Sequence, residues 1–170
     1  MPRRLPVIQT SAAEDEVAAS RPTWHWVLIG AGLTVTLWAP LVAIATPLGL
    51  RLASHVLAVP IDTFAAEAPP RLSPRQATLL GALVSAPLLL AFAIAGFGAG
   101  ALVGRFGGRA RAAHAALGAA GAGCLASSLA LVAKGGISWA SFAGTAAVLA
   151  VVGALGGFLG GSFGFRKRPC

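Results

Sequence analysis

The chain has 170 residues, of which 56% are hydrophobic and only 11% are charged, whereas an ordinary soluble domain carries roughly 25% charged residues. This composition excludes a soluble globular domain, because too few polar groups are present to cover its surface. The net charge of +8 does not indicate nucleic-acid binding, since the basic residues fall at the ends of apolar segments, where Lys and Arg set membrane topology and meet lipid headgroups.

The first residues differ in composition from the rest of the chain. Residues 1–22 are rich in Ala, Ser, Pro and charge, which predicts a flexible cytoplasmic tail. The apolar segment that follows from Trp24 is too long for the core of a cleaved signal peptide. We therefore expect this segment to stay in the protein as a membrane anchor.

Four segments without any charged residue follow one another along the chain. Each is long enough to cross a hydrocarbon core of about 30 Å as a helix, which takes about 20 apolar residues. The sequence therefore predicts an all-α membrane protein, with one transmembrane domain over residues 23–165. The predicted helices cover residues 24–50, 76–104, 112–133 and 138–164.

The start of the second helix carries the clearest local signal in the chain. Ser73 can cap the helix, Pro74 suits its first position, and Gln76 completes a capping box. Trp24, at the start of helix 1, and Trp139, at the start of helix 4, are expected at the membrane interface.

The outer loop, residues 51–75, is the longest connection between predicted helices. Its apolar residues alternate with polar ones around Pro60, which predicts one or two short amphipathic pieces along the membrane surface. The loop can pack over its own bundle or dock a partner, and the sequence leaves both open.

The distribution of Lys and Arg predicts the orientation. Nine lie on the side of both termini and four on the other side, so the positive-inside rule places both termini in the cytoplasm, N-in and C-in. Residues 166–170 form a basic C-terminal tail. The residues expected at lipid headgroups on the inner side are Arg105, Arg109, Arg111, Arg166, Lys167 and Arg168.

The chain also contains a degenerate internal repeat. A shift of 57 positions places helix 2 on helix 4, and matches such as Gly96 with Gly153 and Gly100 with Gly157 recur along it. Such duplication of a two-helix unit predicts two tandem helical hairpins in the same orientation, related by an axis along the membrane normal.

Glycines spaced four residues apart form ladders on helices 2 and 4. Four residues is about one turn, so each ladder leaves one helix face without side chains and lets a neighbouring backbone approach closely. Packing within one subunit and packing against a partner both remain open. The predicted packing residues are Gly96, Gly100, Gly104, Gly118, Gly121, Gly153, Gly157 and Gly161.

Polar groups within the apolar segments are few. Pro40, Pro47 and Pro87 free backbone carbonyls, and hydroxyls such as those of Thr34 and Thr36 are expected to help satisfy them. The most polar mid-span patch contains Cys124, Ser127 and Ser128, for which we expect hydrogen bonds between helices. No Asp, Glu, Lys or Arg lies mid-membrane, which disfavours ion-coupled transport.

His25 and His114 open helices 1 and 3 at matching repeat positions. If they faced each other, they could ligate a b-type haem, although both are expected at the headgroup level, where the alternative is a pair of interfacial histidines. No pattern typical of an enzyme is present, and we expect neither catalysis nor a required cofactor. Cys124 and Cys170 are predicted to be free thiols.

A glycine ladder that runs into an Arg, followed by a helix that opens with His, resembles small uncharacterised four-helix bacterial membrane proteins with glycine-zipper helices. The resemblance covers residues 96–121 and implies the bundle, without any catalytic role. It is consistent with a multi-pass protein of the bacterial cytoplasmic (inner) membrane.

The expected function is that of a small accessory or assembly subunit, in contact with the lipid bilayer and packing through its glycine faces against itself or other membrane subunits. A channel or facilitator for a neutral small solute is the alternative, and a bis-histidine haem subunit is the third.

Overall fold

The computed structural model describes residues 24–64, 72–107, 112–133 and 139–166. It contains four long helices and one 3₁₀ turn, Ile61–Phe64. The predicted N-terminal tail, residues 1–22, lies outside the described residues, as do Arg109, Arg111 and the predicted C-terminal tail 166–170 except for Arg166, which ends a helix. The helices are α1 (Trp24–Leu57), α2 (Pro74–Phe106), α3 (Ala112–Ala133) and α4 (Trp139–Arg166).

The four helices pack side by side, with α4 between α2 and α3. α1 packs mainly against α2 and less against α3, and within the described ranges its backbone does not approach that of α4. Gly100 lies beside Gly157 and Gly104 beside Gly161, so α2 and α4 run in the same direction. The two most extensive helix contacts, α2 with α4 and α3 with α4, therefore share one helix.

α1 extends beyond its predicted end at Leu50, and residues 51–57 of the expected outer loop are helical. The helix stops where Ala58 takes a left-handed conformation with φ of 52°, and the Val59 N–H donates to the Ser54 carbonyl at 3.2 Å. This closes the last turn as a Schellman motif, and Pro60 prevents continuation. Sequence reasoning placed the end at the first charge, but a charge beyond the hydrocarbon does not stop a helix.

The predicted cap of α2 is confirmed. The Ser73 hydroxyl accepts from the Gln76 backbone N–H, and the Gln76 side chain accepts from the Ser73 backbone N–H at 2.9 Å. Pro74 occupies the first helical position. At the other end, the Gly107 N–H donates to the Val103 carbonyl at 2.8 Å.

The prediction of hydrogen bonds between helices from the mid-span hydroxyls is wrong. Ser127 donates to the Gly123 carbonyl and Ser128 to the Cys124 carbonyl, each at 2.9 Å and each within α3. A serine has one hydroxyl proton, so donation four residues back leaves none for a neighbouring helix.

Hydroxyl groups near the helix prolines behave in the same way. Thr34 donates to the Gly30 carbonyl at 2.8 Å and Thr36 to the Gly32 carbonyl at 2.9 Å. The expectation that they satisfy the carbonyls freed by the prolines is therefore wrong for these two residues. Both hydroxyls are satisfied locally, which lets them lie in an apolar bundle at little cost.

Small side chains make up most of the core. Most of its buried hydrophobic residues are alanines, and the largest fully buried side chains are Phe92, Val103 and Thr34. Phe92 meets the edge of Trp38 with ring centroids 5.4 Å apart. This aromatic pair packs α1 against α2, where α1 also approaches through its backbone at Gly49.

The first two helices are longer than the last two. The contact between Gly104 and Gly161 gives a common reference point for α2 and α4. Measured from it along the helix axes, residues 139–161 of α4 span about 33 Å and residues 74–104 of α2 span about 45 Å. Gly49 of α1 lies beside Val84 of α2, so α1 extends alongside. The α1–α2 pair thus projects about 12 Å past the first residue of α4.

Candidate helix-packing surfaces

The glycines of α2 and α4 and the alanines of α3 meet in three successive layers. A Cβ on Gly153 would lie 2.5 Å from the Ala119 carbonyl oxygen, and one on Gly157 would lie 2.6 Å from that of Ala115. Cβ atoms on Gly100 and Gly104 would meet the carbonyls of Gly157 and Gly161. The layers are Gly96–Gly153–Ala119, Gly100–Gly157–Ala115 and Gly104–Gly161–Ala112.

These layers place backbone against backbone across three helices. A side chain at such a glycine would need space that a neighbouring carbonyl already fills, and a carbonyl moves only with its helix. In lipid the hydrophobic effect contributes little to helix association, so close dispersion contact must supply it. The six glycines of the two predicted ladders therefore hold the helices of a single subunit together.

A second glycine line on α4 was missed by the sequence analysis. Gly156, Gly160 and Gly164 also recur every four residues. Cβ atoms on them would meet the carbonyls of Ala93, Phe97 and Ala101 of α2, at 2.6 Å in the case of Gly156. The four-residue spacing of these glycines was visible in the sequence. Only the other ladder of this helix was recognised, because it matched helix 2 after the shift of 57 residues.

The two glycines predicted on α3 differ from each other. A Cβ on Gly118 would lie 2.7 Å from the Val27 carbonyl oxygen of α1, so this residue does mediate packing. Gly121 would have nothing within 4 Å, so the structure does not support its predicted role. Gly123, two residues on, faces the backbone of Leu149 and Ala150 in α4 instead. Helix geometry, rather than the glycine count, decides which position meets a neighbour.

α1 carries a different surface, which we call the α1 stripe. Its members are small residues and prolines that follow one another every three or four residues. They therefore share one helix face over about 22 Å. All are exposed within the subunit, and a Cβ on Gly32 would have nothing within 4 Å. The stripe consists of Gly32, Thr36, Pro40, Ala43 and Pro47.

Polar residues lie at the end of the bundle shared by Trp24 and Phe106. His25 is exposed and stacks on Trp24 with ring centroids 3.9 Å apart, whereas His114 is half-buried at the start of α3. Arg105 is exposed, with its guanidinium carbon 5.7 Å from the centre of the Phe106 ring. Haem ligation by the two histidines stays a prediction that no contact here tests.

All four helices are long and apolar enough to cross a membrane. Many large apolar side chains are exposed on the outside of the bundle, Leu28, Ile44 and Leu129 among them, which only an apolar solvent tolerates at this density. The chain is therefore a multi-pass membrane protein with lipid around its four helices.

Comparisons with protein-family models, with curated proteins and with solved structures found no match. The resemblance to small bacterial four-helix proteins is thus supported only at the level of the four long apolar helices.

Proposed function

We propose that the protein is a small accessory or assembly subunit, which uses the α1 stripe to pack against a helix of another membrane subunit or of a second copy. The α1 stripe carries this proposal. It is the small-residue surface of α1 that its own bundle leaves open, and close approach over small residues is how helices associate in lipid.

The glycine ladders support this proposal indirectly. The sequence left open whether they pack within one subunit or against a partner, and their contacts lie within the subunit, between α2, α3 and α4. A partner must therefore use another face. A bundle whose backbone contacts make it rigid is well suited to present α1 as a fixed docking surface.

We also propose the finer features that the sequence predicts. These are a duplicated pair of tandem hairpins, both termini in the cytoplasm, and residence in the bacterial cytoplasmic membrane. The inner side would then hold Arg105 and the ends of α2 and α4, and the projecting part of α1 and α2 would lie outside. The excess of basic residues on the side of the termini supports this orientation.

The predicted facilitator has less support. In the layers described above, α2, α3 and α4 touch through their backbones, which leaves no lumen between these three helices for a solute. A pathway would have to run between copies, and in that case the α1 stripe would still form the contact.

Purification in a mild detergent tests the proposal. The double variant Thr36→Leu/Ala43→Leu places bulk on the α1 stripe and should release co-purifying subunits or abolish the oligomer. The matched control is Thr145→Leu/Ala147→Leu on α4, where the threonine is exposed and its hydroxyl donates four residues back, as that of Thr36 does. This control should leave the assembly intact.

A wild-type particle that is strictly monomeric and carries no second subunit would contradict the proposal. Equal losses in the two double variants would also contradict it, because they would show that α1 has no special role.

A further inference from the structure

An apolar groove runs between α2 and α4 on the outside of the bundle. Its volume is about 360 Å³, and its floor forms where Gly156 lies against the Ala93 backbone. Phe97 and Leu159 contribute to its exposed walls. The lining contains no polar side chain and consists of Ala93, Ile94, Phe97, Val152, Leu155, Gly156 and Leu159.

The groove lies at the depth of acyl chains. Along α2, Phe97 is about 10 Å and Ala93 about 16 Å from the level of Gly104, beside which Arg105 begins the charged end of the helix. The hydrocarbon core is about 30 Å thick. The groove therefore opens into the half of this core that is nearer to the Arg105 end, where its occupant must be apolar.

Two arginines stand in line with the two walls of the groove. Arg105 follows Ile94 by three helical turns, and Arg166 follows Leu155 by three turns, so each arginine lies on the same helix face as its wall residue. α2 and α4 are parallel neighbours, so both positions come at the same end of the groove, about 17 Å from Ile94 and Leu155. Arg105 is exposed and can reach a headgroup.

We propose that this groove and Arg105 form a binding site for one anionic phospholipid, with an acyl chain in the groove and the headgroup phosphate at the charged end shared by α2 and α4. Basic positions between transmembrane helices at the membrane surface are where such headgroups bind. The inference goes beyond the proposed function, since it uses a different face from the α1 stripe.

Charge argues against a second copy as the occupant. Copies of one protein share an orientation in the membrane, so a neighbouring copy in the groove would bring its own Arg105 and Arg166 to the same level. The like charges would repel each other. An anionic lipid brings the opposite charge to that position and an apolar chain to the groove.

Native mass spectrometry of the detergent-purified protein tests the proposal, with phosphatidylglycerol and phosphatidylcholine of identical chains added in turn. Phosphatidylglycerol should be retained preferentially, and Arg105→Gln/Arg166→Gln should remove this preference, with a loss of roughly fivefold in affinity for each arginine. The matched control is Arg51→Gln/Arg75→Gln, which removes two exposed arginines at the opposite end. It should retain the lipid as the wild type does.

A second pair of variants tests the groove itself. Leu155→Trp narrows the groove and should lower retention of phosphatidylglycerol, whereas Leu125→Trp, at a similarly exposed leucine of α3, should not. Equal retention of the two lipids, equal losses in the two arginine pairs, or unchanged retention in Leu155→Trp would overturn the proposal. Displacement by soluble glycerol phosphate would also overturn it, because it would assign a phosphate site without an acyl chain.

Discussion

α4 and α1 both carry lines of small residues, which allow close helix contact in lipid, but the lines differ in what covers them. On α4 two glycine lines face inward, so that carbonyls of α2 and α3 lie where side chains would otherwise be. On α1 small residues lie on two faces: Gly30, Ala31 and Gly49 are buried against the bundle, whereas the α1 stripe is exposed. Lines of small residues at similar spacing thus form part of the core on α4 and an open face on α1.

This difference separates two meanings of a small-residue pattern in a membrane helix. Where the neighbouring backbone fills the space, the pattern determines stability. Where the space is empty, the pattern is available for association. The following variants sharpen the distinction, because each compares a position with a specific structural role with a matched control position.

The largest effect is expected when glycine becomes leucine in the α2–α4 contact. Gly100→Leu forces a side chain into the Gly157 carbonyl and should cost roughly 3 kcal/mol or more, at or above the upper range for overpacking. The measurement is unfolding by SDS from a mild detergent, followed by tryptophan fluorescence.

Gly32→Leu is the matched change on the α1 stripe, where nothing lies within 4 Å. It should leave the free energy of unfolding of the isolated subunit unchanged or raise it by up to about 1 kcal/mol, because leucine is a better helix former than glycine. Similar losses in the two variants would erase the distinction between the two helices.

Removal of the bulky contact that holds α1 should have the next largest effect. Phe92→Ala leaves a cavity beside Trp38, and we expect a loss of about 2 kcal/mol, because the cavity term persists even though lipid is as apolar as the core. The same unfolding assay measures it. Phe158→Ala, at a half-exposed phenylalanine of α4, should cost much less; a comparable cost would mean that the aromatic contact does not hold α1.

Local capping should matter less than either packing contact. Ser73→Ala removes the acceptor for the Gln76 N–H and should cost about 1 kcal/mol, with faster amide hydrogen exchange in the first turn of α2. Ser85→Ala removes a serine whose hydroxyl bonds one turn back within the same helix. Its unfolding should be nearly that of wild type, and an effect as large as that of Ser73→Ala would argue against a specific cap.

The smallest effect is expected at the end of α1 and has the opposite sign. Ala58 has a φ of 52°, which glycine adopts without steric cost, so Ala58→Gly should stabilise the protein by about 0.5 kcal/mol. Ala43→Gly, at an exposed position inside α1, should instead destabilise it by up to about 1 kcal/mol. Destabilisation by both changes would show that the turn at Ala58 is not left-handed.

The sequence was sufficient for features that depend on local chemistry. The four long apolar helices followed from the absence of charge, and the start of α2 followed from Ser73 and Gln76. The end of α1 was placed too early because Arg51 was read as a boundary, although the turn that stops the helix is at Ala58.

The sequence did not predict which residue of a neighbouring helix each glycine contacts. Gly121 looked equivalent to Gly118, but only Gly118 meets a backbone, and Gly156, Gly160 and Gly164 matter as much as the ladder that was singled out. Spacing defines a helix face, whereas the packing of all four helices determines what covers it. The hydroxyls of Ser127 and Ser128 illustrate the same limit, since each donates to a carbonyl of its own helix.

Thiol cross-linking between α2 and α4 tests the central claim most directly. Phe97 and Phe163 are partly exposed, and their ring centroids are 6.0 Å apart, so cysteines there can be introduced without disturbing the glycines. In a background of Cys124→Ala and Cys170→Ser, a short bifunctional reagent should link Phe97→Cys to Phe163→Cys within one chain, at the mass of the monomer. A product at the mass of a dimer, or no product, would contradict glycine contacts that join α2 and α4 within one subunit.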